Sequence, residues 1–167
     1  MDIVDTKHHQ SLDINNEIAV SKAKQKALAM LSFKAYFRAN LFQELKKEYG
    51  EKVSCKVLSR LEELGLINDF ELSKRYAAEL VEKRGFSSSR IERELIKKGV
   101  DEDLAGCISK FANKNPTKEI SKILESKYPE FRKNEKILRR AVRFLGGCGY
   151  TWDEIREVVV EFLPENC

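Results

Sequence analysis

The sequence predicts an all-α protein built as three tandem three-helix repeats, stacked into an elongated, curved solenoid of right- or left-handed sense. Three observations predict it. Of 167 residues, 35% are charged and 42% hydrophobic, with only 8 Gly and 3 Pro. That profile suits charge-laced helices and leaves too few turn residues for a β-sandwich. From about Ser21 onward the apolar residues recur every three to four positions, the spacing of one buried helix face. Finally, a marker returns at a fixed period: Leu45…Gly50, Leu95…Gly99 and Leu145…Gly149, with leucines spaced by 50 and glycines by 49 and 50. A period of this length is the mark of stacked helical units, each too small to bury its own apolar face.

Taken in order, residues 1–18 are polar and lack helical periodicity, so residues 1–20 are expected to form a flexible N-terminal tail. His8 and His9 lie there as two solvated imidazoles; no other His exists to complete a metal site. Leu28, Leu31 and Ala35 mark the first buried face, and Val57, Leu58, Leu61 and Leu64 the next, with Arg60, Glu62 and Glu63 turned outward. Tyr76, Ala77 and Leu80 mark a third; Ile120, Ile123 and Leu124 another; Ile155, Val158, Val159 and Phe162 the last. Thr151 with Glu154, and Ser89 with Glu92, have capping-box spacing. Asp69 and Asp101 are placed to cap the helices that follow them, and Asn115-Pro116 gives a cap with a first-turn proline. Gly50, Gly65, Gly85 and Gly99 are stops. Nine helices of about 10–17 residues result. They group as repeat 1 (21–66), repeat 2 (67–115) and repeat 3 (116–163). Phe33, Tyr36, Phe37 and Phe42 are read as packing between repeats, and Trp152 as an anchor of the last unit.

The formal net charge of +4 is not that of a dedicated duplex binder, yet clustered cations permit weak, salt-sensitive contact with phosphates. Val158-Val159-Val160 is among the longest apolar runs, far too short to span a bilayer. Cys55, Cys107, Cys148 and Cys167 are scattered without a C-x-x-C pair. This fits buried, reduced thiols in a cytoplasmic protein. No catalytic constellation stands out: the body lacks His, and neither a nucleophile elbow nor a phosphate loop occurs. Gly146-Gly147-Cys148-Gly149 lacks the lysine of a phosphate cradle and is read as a flexible helix end. The reading is therefore of a non-enzyme without cofactor or metal.

Three segments carry a family resemblance. Glu63-Leu64-Gly65-Leu66-Ile67-Asn68-Asp69, followed by Tyr76-Ala77 and Arg84, is similar to the Gly-Leu-Ile-Asp-Asp junction of RecX proteins. Leu95-Ile96-Lys97-Lys98-Gly99-Val100-Asp101 resembles the family's Leu-x-x-Lys-Gly-Ile-Asp turn. Arg143-Phe144-Leu145 and Gly149-Tyr150-Thr151-Trp152-Asp153-Glu154-Ile155 resemble its Arg-Phe-Leu…Gly-Phe-Ser-Tyr-Asp-Asp-Ile ending. The likeness runs in one order over roughly residues 25–163. Two departures stand out: Gly147-Cys148 where the family commonly carries a basic pair, and Ala39–Leu45 in place of a Ser-x-x-Glu-Leu start.

The resemblance implies a monomeric regulator of homologous recombination, DNA repair and the SOS response. It would lie in the groove of the RecA–single-stranded-DNA filament and restrain ATP hydrolysis and strand exchange. The contacts it suggests are Arg75, Arg84, Lys97, Lys98, Arg139, Arg140 and Arg143, with DNA touched weakly if at all. The alternative class is a helical module that binds DNA or RNA directly, with no recombinase partner.

Overall fold

Most helices of the protein trace to a start, a buried face and a stop written in the sequence. The structure, a computed structural model, describes the backbone of residues 3–162 and the side chains of residues 16–160 and 162. Among these residues every regular element is helical. They are α1 (Ile3–Phe33), α2 (Arg38–Glu63), α3 (Asp69–Glu79), α4 (Ser88–Lys97), α5 (Glu102–Ala112), α6 (Pro116–Lys127), α7 (Glu135–Gly147) and α8 (Trp152–Val159). A π-helical turn, Leu80–Arg84, prolongs α3, and a 3-10 turn, Val160–Phe162, follows α8. Gly50 (φ 76°, ψ 172°) breaks α2 into two rods, residues 38–49 and 51–63. With that break, the described residues hold nine helical rods.

The chain divides into two compact units, Met1–Leu72 and Ser73–Cys167. In the first, α1 packs on α2 around Ala23, Ala27, Leu41, Leu45, Val57, Leu58, Leu61 and Ile67. The start of α2 has no side-chain cap of its own. Instead the Arg38 backbone N–H donates to Asp69 Oδ1 at 2.9 Å, and Arg38 Nε pairs with Glu62 at 2.8 Å. The Arg38–Glu62 pair holds the two rods of α2 folded back on each other, which the positive φ of the glycine between them permits, and the Asp69 bond ties the start of α2 to the start of α3.

In the second unit α4 packs on α5, and α6 and α7 pack on α8. Its main core comprises Ile120, Ile123, Leu124, Phe131, Leu138, Ala141, Leu145, Tyr150, Ile155 and Val159. Helix starts are chemically explicit here. Asp101 accepts from the N–H groups of Asp103 and Leu104, Asn115 from Lys118, and Asn134 from Lys136 and Ile137. Thr151 and Glu154 form the expected reciprocal box. Two helices stop in the same way: Val100 N–H reaches back to Leu95 C=O, and Tyr150 N–H to Leu145 C=O, around Gly99 (φ 84°) and Gly149 (φ 93°). The three marker leucines, Leu45, Leu95 and Leu145, are all fully buried.

Several sequence expectations are corrected. The helical backbone begins at Ile3, so the segment read as an irregular tail continues α1; no Pro or Gly precedes Gly50 to stop it. The side chains of His8 and His9, the mobility expected of that segment, and Cys167 lie outside the described residues. The buried face of α1 is Ala23 and Ala27, with Met30 and Leu31 partly covered, because small residues let α2 approach closely; Leu28 and Ala35 are exposed. Leu64, at the helix stop, is half exposed. Phe37 is buried and Tyr36 and Phe42 pack on the core, but Phe33 is 89% exposed at the end of α1. Trp152 is half exposed, and Tyr150 fills the anchoring place instead. Cys55 and Cys107 are exposed and only Cys148 is buried.

Two caps also move by a residue or two. Asn68, rather than Asp69, caps α3 by accepting from Glu71 N–H at 3.0 Å. Ser87, rather than Ser89, caps α4; Ser89 Oγ donates to Gly149 C=O at 3.0 Å. Ser87 takes the position because its own N–H is already bound to Cys148 C=O at 3.0 Å, which fixes where the chain turns into the helix.

Candidate partner-binding surface

Beside its apolar core, the second unit has a buried polar node. Asn113, 4% exposed, donates its amide to Phe86 C=O and to the Tyr150 hydroxyl, both at 3.2 Å. Burial pushes the Tyr150 phenol up to about 12, against the opposing effect of the Asn113 hydrogen bond. Nearby, the C-terminal end of α7 sits on the start of α4. Cys148 Sγ donates to Arg84 C=O at 3.7 Å, and burial raises the thiol above its ordinary value while Lys127 and Arg90 pull it down. A thiol so placed is a packing group rather than a nucleophile.

This junction organises the cations. Arg84 lies in the π-turn against the end of α7, and α7 carries Lys136, Arg140 and Arg143 along one exposed stripe opposite Leu138, Ala141 and Leu145. Helix α4 carries Arg90 and Arg93 fifty residues before Arg140 and Arg143, as Leu95 precedes Leu145. Arg93 is exposed like Arg143, but Arg90 is half-buried, pairs with Glu94 at 3.3 Å and lies over the Phe86 ring. Lys98 instead lies 5.8 Å over the Tyr76 ring, beside Arg75 on α3. The seven cations expected from the sequence thus fall into two groups: Arg139, Arg140 and Arg143 along α7 with Arg84 against its C-terminal end, and Arg75 on α3 with Lys97 and Lys98 at the end of α4.

They also differ in availability. Arg139 is paired with Glu135, and Lys97 with Glu94 at 3.2 Å. Arg75, Arg84, Arg140 and Arg143 are exposed and have no carboxylate partner among the described residues. Arg93, part of the basic cluster that the sequence shows with Arg84 and Arg90, is not among the seven contacts expected from the sequence. Its Nε donates to Ser89 C=O at 3.2 Å and its fork is otherwise unpaired among the described residues. The fifty-residue offset from Arg143 was the signal that could have found it. Unpaired guanidinium groups on a rigid scaffold are ready donors to carboxylates or phosphates.

Chemistry of other kinds has less to stand on. Among the described residues no group of three or more His, Cys, Asp or Glu is placed to hold a metal ion, and no helix is long and apolar enough to cross a membrane. What the fold and these side chains define is an all-helical protein whose main chemical feature is a set of exposed, unpaired arginines.

Comparison with known proteins gives that description a family. No protein-family profile matches the chain. It is 30% identical over 156 residues to the regulatory protein RecX of Mycolicibacterium smegmatis, covering 87% of this chain and 82% of that one. To the regulatory protein RecX of Clostridium acetobutylicum it is 29% identical over 162 residues, covering 92% of this chain and 75% of that one. The crystal structure of RecX from Lactobacillus salivarius has the same fold, with a TM-score of 0.75 at 20% identity, over 87% of this chain and 97% of that one. The chain belongs to the RecX family of regulatory proteins.

Proposed function

We propose that the protein regulates RecA recombinase by lying in the groove of the RecA–single-stranded-DNA filament, where it bridges neighbouring subunits and slows ATP hydrolysis and strand exchange. The observation that carries this reading is a set of exposed arginines without carboxylate partners among the described residues, two of which, Arg93 and Arg143, recur one fifty-residue period apart, on a chain of the RecX family. A helical filament presents the same acidic and phosphate groups again and again, and a scaffold that repeats its arginines can meet them in register. Arg75, Arg84, Arg140 and Arg143 are the principal contacts, and Arg93 joins them. Lys97, Lys98 and Arg139 are secondary, because each must first leave an intramolecular partner. Their acidic and aromatic neighbours contribute only tenths of a kcal/mol at the surface, so that exchange costs little.

The same reading divides the chain into repeats 21–66, 67–115 and 116–163. Burial of Leu45, Leu95 and Leu145 and the positive φ of Gly50, Gly99 and Gly149 support it. The protein acts as a monomer in the cytoplasm and catalyses no reaction of its own.

The test is the DNA-dependent ATPase rate of a RecA filament as this protein is titrated in. A fall at or below one copy per recombinase subunit is expected, and the quadruple variant R75E/R84E/R140E/R143E should need at least tenfold more protein for the same effect while keeping its helical circular dichroism. An unchanged ATPase rate with the parent protein overturns the reading; an unchanged titration with the variant overturns the site.

A further inference from the structure

The turn between α6 and α7 borders an open, shallow pocket of about 240 Å³ lined by Lys127, Tyr128, Pro129, Glu130, Ile137 and Arg140. Tyr128, Pro129 and Ile137 make flat apolar walls, and Lys127 and Arg140 place two cations at the rim. Neither cation has a carboxylate partner among the described residues; Lys127 rests over the Phe144 ring at 4.6 Å, and Arg140 is exposed. The Tyr128 ring is braced from behind by Phe144, with centroids 5.9 Å apart. Pro129 fixes the backbone next to it. The wall is therefore pre-organised without any occupant.

Size and charge decide what fits. The volume falls below that of a drug-sized site and admits one planar ring system. Glu130 and the apolar walls disfavour a phosphate inside the pocket, whereas the two rim cations favour one at its mouth. An aromatic ring inside with an anion outside is the shape of a single nucleotide unit. A duplex cannot supply it, because its bases are stacked and paired; a single strand can.

We propose that this pocket takes one unstacked nucleobase of a single-stranded nucleic acid, stacked on Tyr128, with the adjoining phosphates held by Lys127 and Arg140. This contact does not depend on the recombinase. It gives the protein a grip on a bare strand beside a filament end, separate from the arginine surface. Only Arg140 is shared between the two, and Lys127 belongs to the pocket alone.

The experiment uses the full chain carrying Y128W and W152F, so that its sole tryptophan reports on the pocket. A 20-nucleotide oligothymidylate is titrated in without recombinase, against a 20-nucleotide strand of abasic sites with the same phosphates. Quenching of the emission by oligothymidylate is expected, with about tenfold weaker binding of the abasic strand, the contribution of a stacked base. Adding K127E should weaken oligothymidylate binding severalfold while leaving inhibition of the recombinase ATPase as in the parent, which separates this site from the filament surface. Equal affinity for the two strands would overturn the proposal in favour of phosphate contact alone. No response to either would overturn it in favour of a protein occupant.

Discussion

At the scale of single residues, Gly146-Gly147-Cys148-Gly149 shows how much a sequence reading can and cannot separate. All three glycines read alike as a flexible helix end, but the structure gives them opposite roles. Gly146 and Gly147 lie inside α7 in open space, where an added Cβ meets nothing within 4 Å. Gly149 has φ 93°, and a Cβ there would stand 2.6 Å from Ser87 Oγ and 2.9 Å from the Arg90 Cβ. Gly147→Ala is therefore expected to stabilise the protein by about 0.5–1 kcal/mol. Gly149→Ala should destabilise it by about 2–3 kcal/mol through strain and the forced retreat of α4. Urea denaturation followed by circular dichroism checks both, and two shifts of the same sign would refute the assignment. Exposure was also beyond the sequence: Phe33 and Phe37 are identical in type, yet the first ends α1 in solvent and the second is buried under α2. The unpaired state of Arg140 and the paired state of Arg139 were equally hidden, because only one of two neighbours can face Glu135 four residues back.

At the scale of elements, the faces were the most legible feature and the caps the next. Ile120, Ile123 and Leu124 are buried as their spacing demands, and Thr151 with Glu154 forms the box that its spacing announced. Where caps were misplaced, a contact from far along the chain had decided the outcome. Asp69 is drawn to the N–H of Arg38, which leaves Asn68 to cap α3. Burial raises the Asp69 carboxyl above its ordinary value, with Glu62 adding to the rise and the Arg38 hydrogen bond opposing it. Such a group stabilises the fold most below its unfolded value and loses that contribution as pH rises through the folded one. At neutral pH, Asp69→Asn is thus expected to cost little, since the amide oxygen can still accept, while Asp69→Ala and Asn68→Ala should each cost about 1 kcal/mol. Amide hydrogen exchange distinguishes the last two. Asp69→Ala should speed exchange in the first turn of α2, and Asn68→Ala in the first turn of α3; the same turn responding to both would contradict the division of roles.

At the scale of the whole molecule, the period of fifty announced a repetition that the buried leucines and left-handed glycines support. It did not announce that residues 73–167 would cohere as one unit. Part of that cohesion comes from Asn113, Phe86 and Tyr150, three residues that no periodic pattern links and that meet only where the end of α5 and the turn after α7 come together. The node makes the second unit sensitive to alkali. The Tyr150 phenol has an ordinary value of 10.0 and is pushed up to about 12 in the fold, so the unfolded chain releases this proton first. Its contribution to stability is therefore intact below pH 10 and is lost as pH rises through about 12, a change on the order of 2 kcal/mol. Urea midpoints read from Trp152 emission at pH 9, 10 and 11 should fall steadily in the parent. In Tyr150→Phe the starting midpoint should be lower, because Asn113 loses a partner, but the fall across the same interval should be distinctly smaller. The buried Cys148 thiol titrates in the same direction, so C148A in both backgrounds removes its share. A Tyr150→Phe curve parallel to that of the parent would mean that the phenol is not what ties α5 to the end of α7.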